Sequence, residues 1–266
     1  MNDNRKRDIF YGVVAIATLI IALVGATLAY FSISVRSSEG AVNATAAVVS
    51  IEYKDGQSVI AQAEELIPAT LEVVKTTYEH NMQELNNQIA NDDPDADRTN
   101  ICTDVNGMEV CSIYRFSLKS DITRNAKATL QSEYNGFEYL SYAVRDVTNG
   151  SWVVLDTNSN AQSMPLTKCD NADGDSARRC YNTNENTGAK EYNGIAKSSI
   201  FGYDSNSNFV IKPLGTTTQE YDLIIFIKEN NENQNVDQGQ QFSGTIVVDI
   251  IDDGTGRVTG EVGQDW

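Results

Sequence analysis

Histidine is nearly missing from this chain: His80 is the only one among 266 residues. A Ser-His-Asp triad or a two-histidine zinc site has little to be built from, because each needs an imidazole at a defined partner spacing. His80 also falls in a predicted helix without an H-E-x-x-H arrangement, so a solvent-facing role is expected for it. Proline is scarce as well, with four residues, which excludes a rigid Pro-rich linker. Basic residues are outnumbered, 20 Lys and Arg against 37 Asp and Glu, for a net charge of −17. That balance argues against nucleic acid and against anionic membrane surfaces, which select basic patches. No phosphate-cradling loop is present either: "DGTGRVTG" lacks the Lys-Ser/Thr pair and does not join a strand to a helix. No period of a solenoid or propeller is visible. With no catalytic set to assemble, an enzyme is not expected.

What the chain does have is one long uncharged stretch, from Ile9 to Val35, behind a basic "RKR" at 5–7. A helix of about 20 apolar residues spans a bilayer core. Basic residues ahead of it favour a cytoplasmic N-terminus and an exported body. Thr27 and Ala29 are small, at the −3 and −1 positions of a signal-peptidase site before Tyr30. The expectation is therefore a signal peptide over 1–29, cut between Ala29 and Tyr30. The alternative is a retained transmembrane helix with the C-terminal body outside, anchored at the cell surface.

Four cysteines, all in the exported part, suit an oxidising compartment. In "CTDVNGMEVC" the dipeptide Asn106-Gly107 lies midway between Cys102 and Cys111. Asn-Gly is the strongest signal for a two-residue type I′ hairpin. That register makes Val105 face Met108 and puts Cys102 opposite Cys111 at a non-hydrogen-bonded pair, where Cα atoms lie about 4.5 Å apart, within disulfide reach. Cys169 and Cys180 bracket the polar loop "DNADGDSARR" and form the second expected pair. Four cysteines allow three connectivities, which spacing alone does not resolve.

Past the apolar stretch, period-2 alternation dominates. "AVVSIEY" (47–53), "SIYRFSL" (112–118), "AKATLQSEY" (126–134), "EYLSYAVRD" (138–146) and "SWVVLD" (151–156) read as strands. So do "NFVIKPL" (208–214), "EYDLIIFIK" (220–228) and "FSGTIVVDII" (242–251). Many short strands separated by turn residues indicate an all-β sandwich. Over 44–251 that sandwich carries two insertions. The first, 76–100, contains an amphipathic helix with Tyr78, Met82, Leu85 and Ile89 on one stripe. The second, 157–207, is polar and is expected as a long surface excursion tied down by Cys169 and Cys180. Residues 252–266 read as a flexible tail.

One acidic constellation could hold a cation. Asp93, Asp95 and Asp97 precede the Cys102 hairpin, and in the type I′ register Asp104 faces Glu109. Opposed like charges are unfavourable unless screened, and calcium, with six to eight oxygen ligands, would screen them. The opposing expectation is a solvated acidic loop. No other cofactor is expected.

The export segment ending "LVGATLAYFS", followed by "GAVNATAAVVSIEY", resembles the start of TasA/camelysin-type proteins. "LIPAT" (66–70) is similar to the family's Leu-x-Pro-Gly turn, with Ala69 in place of glycine, and "YDLIIFIKENNENQNVDQGQQFSGTIVVDI" resembles its last hairpin. The resemblance covers the two ends of the chain. It implies a jelly-roll-like sandwich that polymerises into extracellular fibres of a biofilm matrix, with an N-terminal strand completing the sheet of the next subunit. The segment 30–43 would be that strand, with Phe31, Ile33 and Val35 on its buried face. Camelysin-type peptidase activity is not carried over, since no zinc-ligand residues match. Two further readings compete: a membrane-anchored extracellular binding module, and a pilin-like filament subunit, although no Glu precedes Glu39.

Overall fold

A computed structural model describes residues 51–55, 66–91, 93, 99–154, 160–169, 179–184, 186–188, 190–192, 196–252 and 257–263. Its elements in chain order are β1 (Ile51–Asp55), α1 (Leu71–Ala90), β2 (Ser112–Ser120), β3 (Arg124–Asn135), β4 (Leu140–Asp146), β5 (Ser151–Trp152) and β6 (Met164–Pro165). Then come β7 (Tyr181–Thr183), β8 (Lys190–Tyr192), β9 (Lys197–Ser199), β10 (Lys212–Leu214), β11 (Gln219–Ile227), β12 (Phe242–Ile250) and β13 (Arg257–Gly263). The first sheet runs β1-β2-β11-β4-β5, with β6 also on β4. The second runs β10-β3-β12-β13, with β9 also on β3. All these pairings are antiparallel. The protein is an all-β sandwich.

The core between the sheets is built from alternate residues, as period-2 patterning requires. Tyr114, Phe116 and Leu118 of β2 and Leu223, Ile225 and Ile227 of β11 meet Ala128 and Leu130 of β3 and Phe242, Ile246 and Val248 of β12. Fully burying a side chain of this size contributes about 1.5–3 kcal/mol. The other face of the first sheet is also covered. There Ile113, Ala143, Ile224 and Phe226 pack under Val74, Tyr78 and Leu85 of α1. Strand β11 is therefore buried on both faces, from Tyr221 to Ile227.

The helix starts at Leu71, ahead of the expected 76, because Thr70 caps it: the Val73 N–H donates to Thr70 Oγ1 at 3.3 Å. Just before it, the "LIPAT" stretch joins the first sheet. Ala69 forms a parallel bridge with Lys228, its N–H donating to Ile227 O at 2.9 Å and its carbonyl accepting from Glu229 N at 3.0 Å. Of the expected apolar stripe, Tyr78 and Leu85 are buried and Met82 packs at the edge, but Ile89 is 44% exposed.

Three expectations need correction. Residues 252–266 are not a free tail, since β13 pairs with β12 from Ser243↔Gly263 to Asp249↔Arg257. The 157–207 segment is not only a surface excursion: β6 and β9 extend the two sheets, and Met164, Leu166, Ile200 and Phe201 enter the core. The stretch taken as a last hairpin is a crossover, because β11 and β12 lie in different sheets. Buried Asp237 pins that crossover to the β3–β4 corner by accepting from the Glu138 N–H at 2.6 Å and the Tyr139 N–H at 3.2 Å.

Candidate functional site

Two disulfides are present, Cys102–Cys111 and Cys169–Cys180, each with Cα atoms 5.1 Å apart. They fit an oxidising compartment. The first does not arise from the expected register. Asp104 N donates to Met108 O at 2.9 Å and Thr103 bridges Glu109, so the loop has three residues rather than two. Gly107 carries the positive φ, +78°, while Asn106 does not, which makes this a type I turn followed by a left-handed bulge residue. The cause is Asp104. Its Oδ1 accepts from the backbone of Asn106 and of Met108 at 2.9 Å each, and its Oδ2 accepts from Asn106 Nδ2 at 3.1 Å. Such a side-chain cap stabilises a turn that Asn-Gly alone would not select. A 3₁₀ turn at Thr99–Cys102 then swings Cys102 towards Cys111, one residue beyond its ladder partner Val110. Val105, expected to face Met108, is 96% exposed at the tip.

The same shift separates the acidic pair: Glu109 lies opposite Thr103, not Asp104. The Met108 N–H, then Asn106, hold the Asp104 carboxyl below the usual carboxylate range. Asp93 is exposed just past α1, and Asp95 and Asp97 lie outside the described residues. Among the described residues no three acidic, cysteine or histidine groups converge as a metal set. Ala29, Tyr30, Phe31, Ile33 and Val35 also lie outside the described residues. No helix of the described residues is long and apolar enough to cross a membrane. His80 sits on the exposed face of α1, 3.3 Å from Glu84.

Sequence reading missed the polar cluster beneath the helix. Asp222, 0% exposed on β11, accepts from Arg115 Nε at 2.7 Å and from Arg115 Nη2 at 2.7 Å. The Tyr78 hydroxyl donates to the same carboxylate at 2.7 Å. Burial, then the Asp222 charge, push the Tyr78 phenol far above its ordinary value. Burial alone would lower Arg115, but the bonds to Asp222 outweigh it and raise the guanidinium. A second arm continues outward: Trp152 Nε1 donates to Glu79 Oε1 at 3.0 Å, and Arg145 lies 5.3 Å over the Trp152 ring. Beside this cluster Asn81 Nδ2 donates to Ile101 O at 3.1 Å and Thr103 O at 2.9 Å, tying α1 to the disulfide hairpin. An open cleft of about 270 Å³ remains there, lined by Asn81, Glu84, Leu85, Gln88, Ile101, Thr103 and Asp104. A readable signal existed, namely an Asp inside "EYDLIIFI" and an Arg inside "IYRFSL", each in a strand with apolar neighbours.

The second sheet has a different attachment point. A bulge between Ser243 and Gly244 leaves Glu133 of β3 without a partner on β12 and aims it outward. Lys190 Nζ reaches both its oxygens at 3.0 Å, and the Tyr192 hydroxyl donates to it at 2.6 Å. This clamp docks the β7–β8 hairpin, with the Cys169–Cys180 disulfide and Ala196 packed beside Tyr192. At the bulge Gly244 is required by space: a Cβ there would meet the Gln131 carbonyl at 2.9 Å.

No protein-family model, curated protein or solved structure matches the chain.

Proposed function

We propose that this is an exported structural protein of the cell surface or extracellular matrix, a jelly-roll-type sandwich that self-associates into fibres. Residues 30–43 of one copy add as a strand to a sheet edge of the next, through backbone bonds and the alternate side chains Phe31, Ile33 and Val35. The observation that carries this reading is the position of β1. It is the edge strand of the first sheet, close to the β13 edge of the second, so the chain preceding it departs from a sheet margin. The two disulfides and the acidic charge suit a protein that works outside the cell. Head-to-tail strand addition does not close on itself and yields filaments rather than dimers.

N-terminal sequencing of the exported protein, expected to begin at Tyr30, tests the cut after Ala29. An intact 1–29 segment on the mature protein would favour the anchored binding module instead. Deleting 30–36 should leave the sandwich folded and abolish filaments in electron micrographs. Undiminished polymerisation of that variant would overturn strand addition by this segment.

A further inference from the structure

Asn-Gly dipeptides occur four times in the chain, at 106–107, 135–136, 149–150 and 193–194, the last outside the described residues. Such a pair rearranges when the glycine nitrogen attacks the asparagine Cγ, and glycine is the residue that leaves this approach unhindered. The fold treats the three described pairs differently. Gly107 N–H is engaged, donating to Asp104 O at 2.9 Å. Gly136 N–H donates to Gln241 O at 3.0 Å, and Asn135, 0% exposed, has its amide fixed on Leu166 O at 3.1 Å and Thr167 O at 3.0 Å.

Asn149 and Gly150 are exposed on the turn between β4 and β5. Among the described residues nothing accepts from the Gly150 N–H, and a Cβ added at Gly150, whose φ is +64°, would meet nothing within 4 Å. The Asn149 side chain is oriented by Asp146, whose Oδ2 accepts from Nδ2 at 2.9 Å and whose Oδ1 accepts from the Asn149 N–H at 2.9 Å.

We propose that Asn149 is a self-modification site of the folded protein, converting to aspartate and isoaspartate while Asn106 and Asn135 stay protected. Solvent hydroxide takes the Gly150 amide proton and the nitrogen attacks Asn149 Cγ. The N–Cγ bond forms, the Cγ–Nδ2 bond breaks, and ammonia leaves with a proton from water. A water molecule then opens the cyclic imide at either carbonyl. The net change is addition of water and loss of ammonia, with no oxidation or reduction. The new carboxylate replaces a donor to the buried Asp146 with a like charge. Its consequence is a loosened β4–β5 turn, and with it Trp152, which holds Glu79 of the helix.

The test is incubation of the intact folded chain at mildly alkaline pH, followed by peptide mapping for isoaspartate. Asn149 should convert at least about tenfold faster than Asn106 or Asn135, the factor that an engaged N–H worth about 1.4 kcal/mol imposes. In denaturant the three rates should converge. Asn149→Gln should remove the modified peptide and leave the sandwich folded. Equal rates at the three sites in the folded chain, or Asn149 slower than either of the others, would overturn the proposal.

Discussion

In the first sheet Asp222 lies fully buried between sandwich and helix, shared by Arg115 and Tyr78; in the second, Asp249 pairs with Lys127 across neighbouring strands at 3.9 Å, on the outer face. The two sheets share one core but differ in what their far sides meet. The helix makes the far side of the first sheet an interior, where charge persists only when every lone pair is used. The far side of the second keeps Lys127, Gln131 and Asp249, and the β7–β8 hairpin attaches there through Glu133 at the bulge. An added layer therefore changes the chemistry that a sheet face must carry.

The sharpest way to break this comparison is to remove the two aspartates in turn. Asp222→Ala leaves Arg115 uncompensated under the helix and is expected to lose about 3–5 kcal/mol. Asp249→Ala should lose no more than about 1 kcal/mol. Urea unfolding of both variants checks this, and similar losses would mean that the helix does not make an interior.

Next come the disulfides, one on each side. Replacing Cys102 and Cys111 by serine should lose about 2–3 kcal/mol, as a short closed loop allows. It should also speed amide hydrogen exchange along α1, which the hairpin tethers. The Cys169→Ser, Cys180→Ser pair should cost a similar amount but raise exchange in β7–β8 and leave α1 protected. Exchange spreading to both regions in either variant would contradict separate attachments.

A smaller effect separates two turns of like design. Asp204 heads a second three-residue loop, accepting from Asn206 N and Asn208 N at 2.8 Å each, but Ser207 stands at φ +62° where Gly107 stands in the first. Gly107→Ala should destabilise by about 1–2 kcal/mol, and Ser207→Gly should stabilise by less than about 1 kcal/mol. Thermal unfolding distinguishes the signs.

The smallest effect is on pH. The Asn208 N–H, first among the causes, holds Asp204 below the usual carboxylate range, as Met108 does for Asp104. A depressed folded pKa gives stability that is present above the ordinary value of 3.8 and lost as pH falls through the folded one. Carboxyl NMR titrations should place both midpoints below 3.8; a midpoint at or above it would show that the turn bonds are absent in solution.

Much of the sandwich was legible. The alternation at 112–118, 126–134, 220–228 and 242–251 marks β2, β3, β11 and β12, because half-buried strands must alternate. The strand expected over 151–156 is confined to Ser151–Trp152, and the two-residue strand β6 left no pattern, since pairing over so short a span is decided by what lies beside it. The disulfide pairing was legible but its register was not: Asn-Gly was weighed as a turn signal without the Asp two residues ahead of Asn106, whose carboxylate decides the loop length. Arg115 and Asp222 lie 107 residues apart in the chain, so nothing local ties them together. The core of the 157–207 segment escaped because its apolar residues are single anchors in polar sequence.

The order of strands has a consequence for how the chain becomes a protein. Strands β2 and β4 are not paired with each other; β11 lies between them, and β12 likewise waits to join β3. Both central strands arrive in the last quarter of the chain. Until they emerge, the earlier strands have no ladder partner in the middle of either sheet, and assembly is dominated by distant contacts, which fold slowly. The topology itself postpones the sandwich until β11 and β12 have been made.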